Sequence, residues 1–311
     1  MDRFCFGVDV GGTTVKMGLF TPEGDVVDKW EIPTRTEDKG KNILPDIAKA
    51  VKAKMKEKNI QTEQVIGIGL GTPGPVDRDG VVHRAVNLGW GVMNLENELW
   101  ELTKLPVKAG NDANVAALGE MWKGGGKGYD DMVLVTLGTG VGGGIIINGK
   151  MLTGSSGAGG EIGHIHVEDD EIEACNCGNK GCLEQYASAT GIVRLAKKKL
   201  VQTDAPSVLR EEEVTAKTVF DAVKENDSLA VQIAEEFGEY LGKGLAAIAG
   251  VSNPEVFVIG GGVSKAGEVL ISYIQKYYMM YVFHASKEAK FVLATLGNDA
   301  GIYGAAKLVL G

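Results

Sequence analysis

Four soft metal donors crowd one stretch of the chain. Cys175, Cys177 and Cys182 follow a histidine, His164 or His166. One imidazole and three thiolates suit Zn²⁺ in a closed tetrahedral structural site. Gly178 and Gly181 supply the tight turns such a knuckle needs. Glu161 precedes this cluster and Glu184 follows it, so one metal would bring both carboxylates near a common point. Carboxylates so placed can accept hydrogen bonds from hydroxyl groups and discriminate their geometry. A second chemical feature is Asn111-Asp112, directly before a helical pattern over 113–122. Asn is among the best N-caps. A carboxylate at that terminus stays ionised and can accept a hydroxyl proton.

The third feature is a pair of glycine turns. Asp9-Val-Gly11-Gly12-Thr13-Thr14-Val-Lys16 joins two apolar strand patterns, and Gly138-Thr139-Gly140 leads into Gly142-Gly-Gly144 between two more. The first lacks the Gly-Lys-Ser/Thr ending of a Walker loop, and it is followed by a strand, unlike a dinucleotide fingerprint. Glycines there let backbone N–H groups approach phosphate oxygens, with threonine hydroxyls as further donors. Asp9 would face the phosphates and hold Mg²⁺ through water. Gly260-Gly261-Gly262 ends a later strand and leaves room for a nucleoside against backbone, with Ser264 expected to cap the next helix.

Composition narrows the remainder. The chain has 311 residues, room for two domains, and 45 glycines, about twice ordinary usage, which points to several tight backbone turns. A formal charge of −9 argues against extended contact with nucleic acid. The apolar runs are too short to span a bilayer, and the N-terminus enters a strand pattern at once. Crowded cysteines without an export signal fit metal ligation better than disulfides. The expectation is a soluble, cytoplasmic protein with no membrane or nucleic-acid partner.

These groups need strands that end in turns. Periodicity predicts strands over 4–10, 15–20 and 26–32, and a helix over 42–58 with Ile43, Ile47, Val51 and Met55 on one face. Its lysine-rich opposite face reads as solvated. Further strands are expected at 66–70, 131–137, 143–148, 256–259 and 291–294. Helices are expected over 228–249, from Ser264 and over 300–310. Residues 202–213 read as a polar surface excursion. His83 and His284 have no companions and read as structural or surface residues. Strand, Gly/Thr turn, strand occurs in each half, which suggests a duplicated fold.

The chain resembles the ROK family of sugar kinases within the actin-like ATPase superfamily, nearly end to end. The resemblance is carried by Asp9 to Lys16, Gly71-Thr-Pro-Gly74-Pro-Val-Asp77, Asn87-Leu-Gly-Trp90, Asn111-Asp-Ala-Asn114 through Gly119-Glu120, Leu137 to Gly144, Glu161-Ile-Gly-His164, Cys175 to Glu184, and Gly260 to Ser264. It implies a two-domain α/β fold of the ribonuclease H-like type, with duplicated mixed sheets and an interdomain cleft. The smaller domain is expected over 1–110 with 300–311, and the larger over 111–299 with a zinc knuckle at 164–182.

The resemblance further implies phosphorylation of glucose by Mg-ATP, with Asp112 as base. Gly74, Asn87, Asn111, Asp112, Glu161, His164 and Glu184 would contact the hexose. Asp9, Gly11, Gly12, Thr13, Thr14, Lys16, Gly138, Thr139, Gly140, Gly261 and Gly262 would hold the nucleotide. Zinc would take His164, Cys175, Cys177 and Cys182, with the other nitrogen of His164 on the sugar. A homo-oligomer, commonly a dimer, is also implied. Fructose, mannose, N-acetylglucosamine or N-acetylmannosamine are alternative substrates. A sugar-responsive repressor of the same family is expected to carry a helix-turn-helix before the fold, and Asp9 lies too near the N-terminus of this chain to leave space for one.

Overall fold

The computed structural model describes residues 2–311. Two five-stranded sheets carry the fold. The first comprises β1 (Phe4–Val10), β2 (Thr14–Phe20), β3 (Val26–Pro33), β4 (Val65–Thr72) and β5 (Val107–Asn111). The second comprises β6 (Met132–Leu137), β7 (Val141–Ile147), β8 (Lys150–Met151), β9 (Val256–Gly260) and β10 (Lys290–Leu293).

The spatial orders are β3-β2-β1-β4-β5 and β8-β7-β6-β9-β10, so the two sheets share one topology. In the first, β1, β2 and β3 pair antiparallel, then β1–β4 and β4–β5 pair parallel. In the second, β7–β8 is antiparallel, and β6–β9 and β9–β10 are parallel. The repeat expected from the two turns is a repeat of architecture, and the fold is the duplicated mixed-sheet α/β fold expected. Strands β6 and β9 are buried almost throughout, which is why they read as continuous apolar runs and not as alternating ones.

By contacts the chain forms two compact units. One is Met1–Asp130 with Gly144–Gly160 and Leu296–Gly311; the other is Asp131–Gly143 with Glu161–Thr295. The segments 1–110 with 300–311 and 111–299 stand as a proposal about domain architecture. By contacts, the helix Asp112–Lys123 groups with the first unit.

In the first unit the sheet buries both faces. Phe6, Val8, Met17 and Leu19 share a core with Ile43, Ile47 and Val51 of the helix Ile43–Glu57. Cys5 and Phe20 pack with Ile302 and Ala306 of the last helix, Ala300–Leu310. Lys49, Lys52 and Lys56 of the 43–57 helix are exposed, as expected, whereas Lys54 is largely buried, pairs with Asp28 and Glu57 and lies over the Trp30 ring.

The glycine excess has a second cause besides turns. A Cβ on Gly69 would lie 1.7 Å from the Ala305 carbonyl oxygen, and one on Gly304 would lie 1.7 Å from that of Val115. These glycines let the last helix press its backbone onto β4 and onto the helix Asp112–Lys123. Gly69→Ala should therefore destabilise this unit by about 2–3 kcal/mol, because the obstacle is helix backbone and not a movable side chain. Chemical denaturation measures the loss; a variant as stable as the parent would contradict the close packing.

In the second unit the helices Ala189–Gln202, Ala216–Lys224, Ser228–Ser252 and Glu268–Tyr281 accompany the sheet. Phe257, Tyr278 and Phe291 form a ring cluster between sheet and helix. One local expectation needs correction. Ser264 does not cap the following helix: it lies in the short turn Val263–Ala266 and donates to the Gly261 carbonyl at 2.8 Å, while Gly267 occupies the cap position. The 202–213 excursion contains a turn, Val208–Arg210, and Arg210 donates to the carbonyls of Leu200, Thr203 and Ala205. A polar, aperiodic composition hides such stitching because the acceptors are all backbone.

Candidate active site

The first turn is built by the β1–β2 hairpin. Asp9 and Lys16 face each other in register. The loop is closed by the Gly11 N–H on the Thr14 carbonyl at 3.1 Å and braced by the Thr34 hydroxyl on the Gly11 carbonyl at 2.7 Å. A Cβ on Gly12 would meet nothing within 4 Å, so the turn opens onto free space. Lys16 Nζ donates to the Asn298 carbonyl at 3.1 Å, directly before the last helix. Gly301 of that helix lies so close to Asp9 that a Cβ would be 2.5 Å from its carboxylate oxygen.

Asp112 belongs to the same unit. Asn111 ends β5 and caps the helix, accepting N–H bonds from Ala113 at 3.0 Å and Asn114 at 3.1 Å. Its amide donates to the Gly74 carbonyl at 3.2 Å. An Asp112 carboxylate oxygen also accepts from the Ala113 N–H at 2.8 Å. Capping by Asn111 thus leaves Asp112 as the first helical residue, with its side chain at the positive end of the helix dipole. Gly74 has φ +89° and rests on the Arg84 carbonyl. Asn87 lies on the exposed 3₁₀ turn Val86–Leu88 of the same loop region.

Burial and the neighbouring Asp112 charge push Asp9 up to about 6, against a lowering pull from Lys16. A buried carboxylate in this position is relieved by a divalent cation carried by a nucleotide. The sign of the pH effect follows. A carboxyl with a raised folded pKa stabilises the fold relative to its own ionised form below the unfolded value of 3.8, and this is lost as pH rises through about 6. Asp9→Asn should therefore raise the melting temperature of the ligand-free protein at pH 7.5 by about 2–5 °C while weakening Mg-ATP binding. A lower melting temperature would show that ionised Asp9 is not a burden to the fold.

The second unit holds the other groups. His164, Cys175, Cys177 and Cys182 each offer one ligand atom, and these atoms all lie within 4.8 Å of one another. The Cys177 and Cys182 sulfurs are 3.6 Å apart, and Cys175 Sγ is 3.8 Å from His164 Nδ1. A tetrahedron with metal–sulfur bonds of about 2.3 Å has edges of about 3.8 Å, so the donor set fits Zn²⁺ after the wider pairs draw in and Cys175 gives up its proton. Nδ1 is the nitrogen turned toward the thiols. His166 lies outside the cluster: its Nδ1 is 3.0 Å from the Lys180 carbonyl and its Nε2 2.8 Å from Asp169.

Glu184 accepts from Cys175 Sγ at 2.9 Å, which ties one carboxylate to the cluster. Glu161 begins the 3₁₀ turn Ile162–His164 and is exposed. A cavity of about 640 Å³ is lined by His164, Cys175, Cys177 and Glu184 together with Thr139 and Gly140 of the second turn. The second turn and the cysteine cluster therefore share one wall. Gly261, with φ +84°, lies against the Leu137 carbonyl at the end of β6, and a Cβ on Gly262 would meet nothing within 4 Å. The third glycine site thus adjoins the second within this unit.

Several participants carry no motif that singles them out. The buried Glu171, in the acidic loop 167–173, is held at about 2: burial raises it, but hydrogen bonds from Tyr186 and Arg194 prevail. Ser188 and Thr190 bond the second turn's surroundings, as set out below. His83, expected to be without companions, lies 2.9 Å from Asp77, which also accepts the N–H groups of Asp79 and Val81. An Asp six residues from a His gave no helical or strand spacing to suggest the pair.

Comparison with known proteins agrees with this arrangement. The model of the ROK family matches residues 5–311. A glucokinase of Halalkalibacterium halodurans is 47% identical, over 99% of this chain and 95% of that protein. A glucokinase of Thermotoga maritima is 36% identical, over 97% and 96%. The crystal structure of a ROK family glucokinase from Streptomyces griseus in complex with glucose and AMPPNP superposes with a TM-score of 0.75 at 35% identity, covering 98% of each chain. No helix among the described residues is long and apolar enough to cross a membrane. Glycine turns repeated on two like sheets, an Asn-capped Asp112 and a His/Cys cluster thus coincide with a family match along almost the whole sequence, and the chain belongs to the ROK family.

Proposed function

We propose that the protein is an ATP-dependent glucokinase that transfers the γ-phosphoryl group of ATP to the 6-hydroxyl of glucose. The observation that carries this reading is the carboxylate of Asp112, held at a helix N-terminus in the unit that also carries Asp9 and the first glycine turn. The full-length likeness to glucokinases, and to a structure holding glucose and AMPPNP, supports the substrate pair.

Asp112 orients the 6-hydroxyl and accepts its proton as the oxygen bonds to phosphorus and the bond from the γ-phosphorus to the bridging oxygen breaks. Because the transition state is loose, positioning counts for more than basicity, so an ionised Asp suffices. The Asn111 cap keeps this carboxylate in place. Gly11 and Gly138 spend their N–H groups closing their own turns; the N–H groups of 12–14 on the first turn and of 139–140 on the second are assigned to phosphate oxygens, with Lys16, and Gly261 and Gly262 leave room for the nucleoside. Asp9 is the carboxylate assigned to hold Mg²⁺ through water, and the ion would supply neutralising charge at the phosphates. Gly74, Asn87, Asn111, Glu161, His164 and Glu184 are assigned to the hexose hydroxyls. Zn²⁺ on His164, Cys175, Cys177 and Cys182 would order the segment that carries Glu184. A cytoplasmic homodimer belongs to the same proposal, on the family likeness.

The test is ADP release with Mg-ATP across a panel of hexoses. Turnover on glucose well above that on fructose, mannose and the N-acetylated hexosamines is expected. Preference for an acetamido sugar would refute the glucose assignment, and no turnover on any sugar would refute the kinase reading.

A further inference from the structure

The start of the helix Ala189–Gln202 is fastened to the second glycine turn by two hydrogen bonds. The Ala189 N–H donates to the Gly138 carbonyl at 2.8 Å, and the Thr190 hydroxyl donates to the Thr139 carbonyl at 2.7 Å. The same stretch is fastened to the cysteine knuckle. Ser188, fully buried, donates to the Glu184 carbonyl at 2.6 Å, and its hydroxyl lies 2.9 Å from that of Thr190. Glu184 in turn accepts from Cys175, and its second oxygen stands 2.5 Å from where a Cβ on Gly140 would be.

We infer that Thr190 is a positioning residue for the second phosphate turn, acting through the Thr139 carbonyl. The argument rests on the reading of that turn as nucleotide-binding. A trans peptide is planar, so its C=O and the following N–H point in opposite directions. Pinning the Thr139 carbonyl toward the helix therefore aims the Gly140 N–H away from it. Pinning the Gly138 carbonyl does the same for the Thr139 N–H. A Gly-Thr-Gly turn has almost no side chain with which to hold itself, and ordering it on binding would cost conformational entropy each time. Donors aimed in advance avoid that cost. Ala189 contributes through backbone, which any residue but proline can supply; Thr190 contributes through a side chain and is open to mutation.

Thr190→Val keeps the shape and removes the donor. Calorimetric titration with Mg-AMPPNP is expected to show an affinity about threefold to tenfold weaker than the parent's, with the KM for ATP rising by the same factor. The KM for glucose should stay within about twofold, and Thr190→Ser should restore nucleotide affinity. Melting curves accompany each variant, and Thr190→Ala replaces valine if the latter does not fold. Parental AMPPNP affinity in Thr190→Val, an equal loss of glucose and nucleotide affinity, or failure of serine to rescue would each overturn the positioning role. The titration needs no turnover, so a parent that binds AMPPNP but phosphorylates no hexose would refute the kinase reading and leave the role of Thr190 to be decided by the variants. A parent that does not bind AMPPNP would overturn both.

Discussion

Asp112→Asn is expected to lower kcat for glucose phosphorylation by about 10²- to 10⁴-fold, with the melting temperature retained. The size of the effect follows from what the side chain does. It is a carboxylate at the first position of a helix whose capping is performed by Asn111, so its replacement leaves both cap bonds intact. Only the acceptor for the hydroxyl proton, and the negative charge, are lost. Removing that charge also relieves Asp9, whose raised pKa owes part of its shift to Asp112. The variant should therefore titrate with a lower Asp9 pKa and bind Mg-ATP with near-parental affinity. A coupled spectrophotometric assay and a thermal melt decide the matter. Parental kcat in a folded Asp112→Asn protein would remove Asp112 from the chemistry.

Removal of the metal should have the second largest effect, and on a different quantity. The segment between His164 and Glu184 has little regular structure: the bridges His166–Cys182 and Ala174–Lys180 are isolated pairs, not ladders. A few backbone bonds, such as Val167 N–H to Gly181 and Cys175 N–H to Asn179, and side-chain bonds such as those of Glu171 to Tyr186 and Arg194 add to these. A tetrahedral ion on His164, Cys175, Cys177 and Cys182 would be the main cross-link. Stripping it, or replacing Cys182 by Ser, should raise the KM for glucose by about tenfold or more, because Glu184 loses its anchor. Hydrogen exchange should accelerate over 161–187 while the sheet β6-β9-β10 stays protected. One equivalent of zinc per chain in the parent, measured by emission spectrometry, is the companion result. A parent that contains no zinc, or whose exchange is unchanged after stringent chelation, would show that the cluster is held by its hydrogen bonds alone.

The two effects separate because they act on different terms. On the proposed reading Asp112 serves the transferring oxygen and should show in kcat, while the cysteine knuckle shapes the walls that hold the sugar and should show first in KM. Thr190 is expected to show only in the nucleotide term, which lets the three roles be read independently.

Much of this was legible in the chain itself. Strand–turn–strand spacing placed Asp9 and the glycines of 11–12 and 138–140 at sheet ends, because apolar runs and glycine turns are local signals. The Asn-Asp pair before a helical pattern located the cap and the carboxylate, again a local property. The crowding of thiols marked out the cysteines of the proposed metal site, but two histidines stood within reach. Only the folded chain turned Nδ1 of His164 toward the sulfurs and engaged His166 with Lys180 and Asp169.

What tertiary structure alone decided involves partners distant in sequence. No pattern links Gly69 or Gly7 to the last helix, since the reason for a missing side chain there is a carbonyl more than two hundred residues away. Nor does any pattern link Thr190 to Thr139, or the buried Glu171 to Arg194. Local chemistry determined which groups this protein possesses. The approach of backbones, which depends on atoms that the sequence places far apart, determined which of them meet, and fold-wide packing is the physical reason the second could not be read from the first.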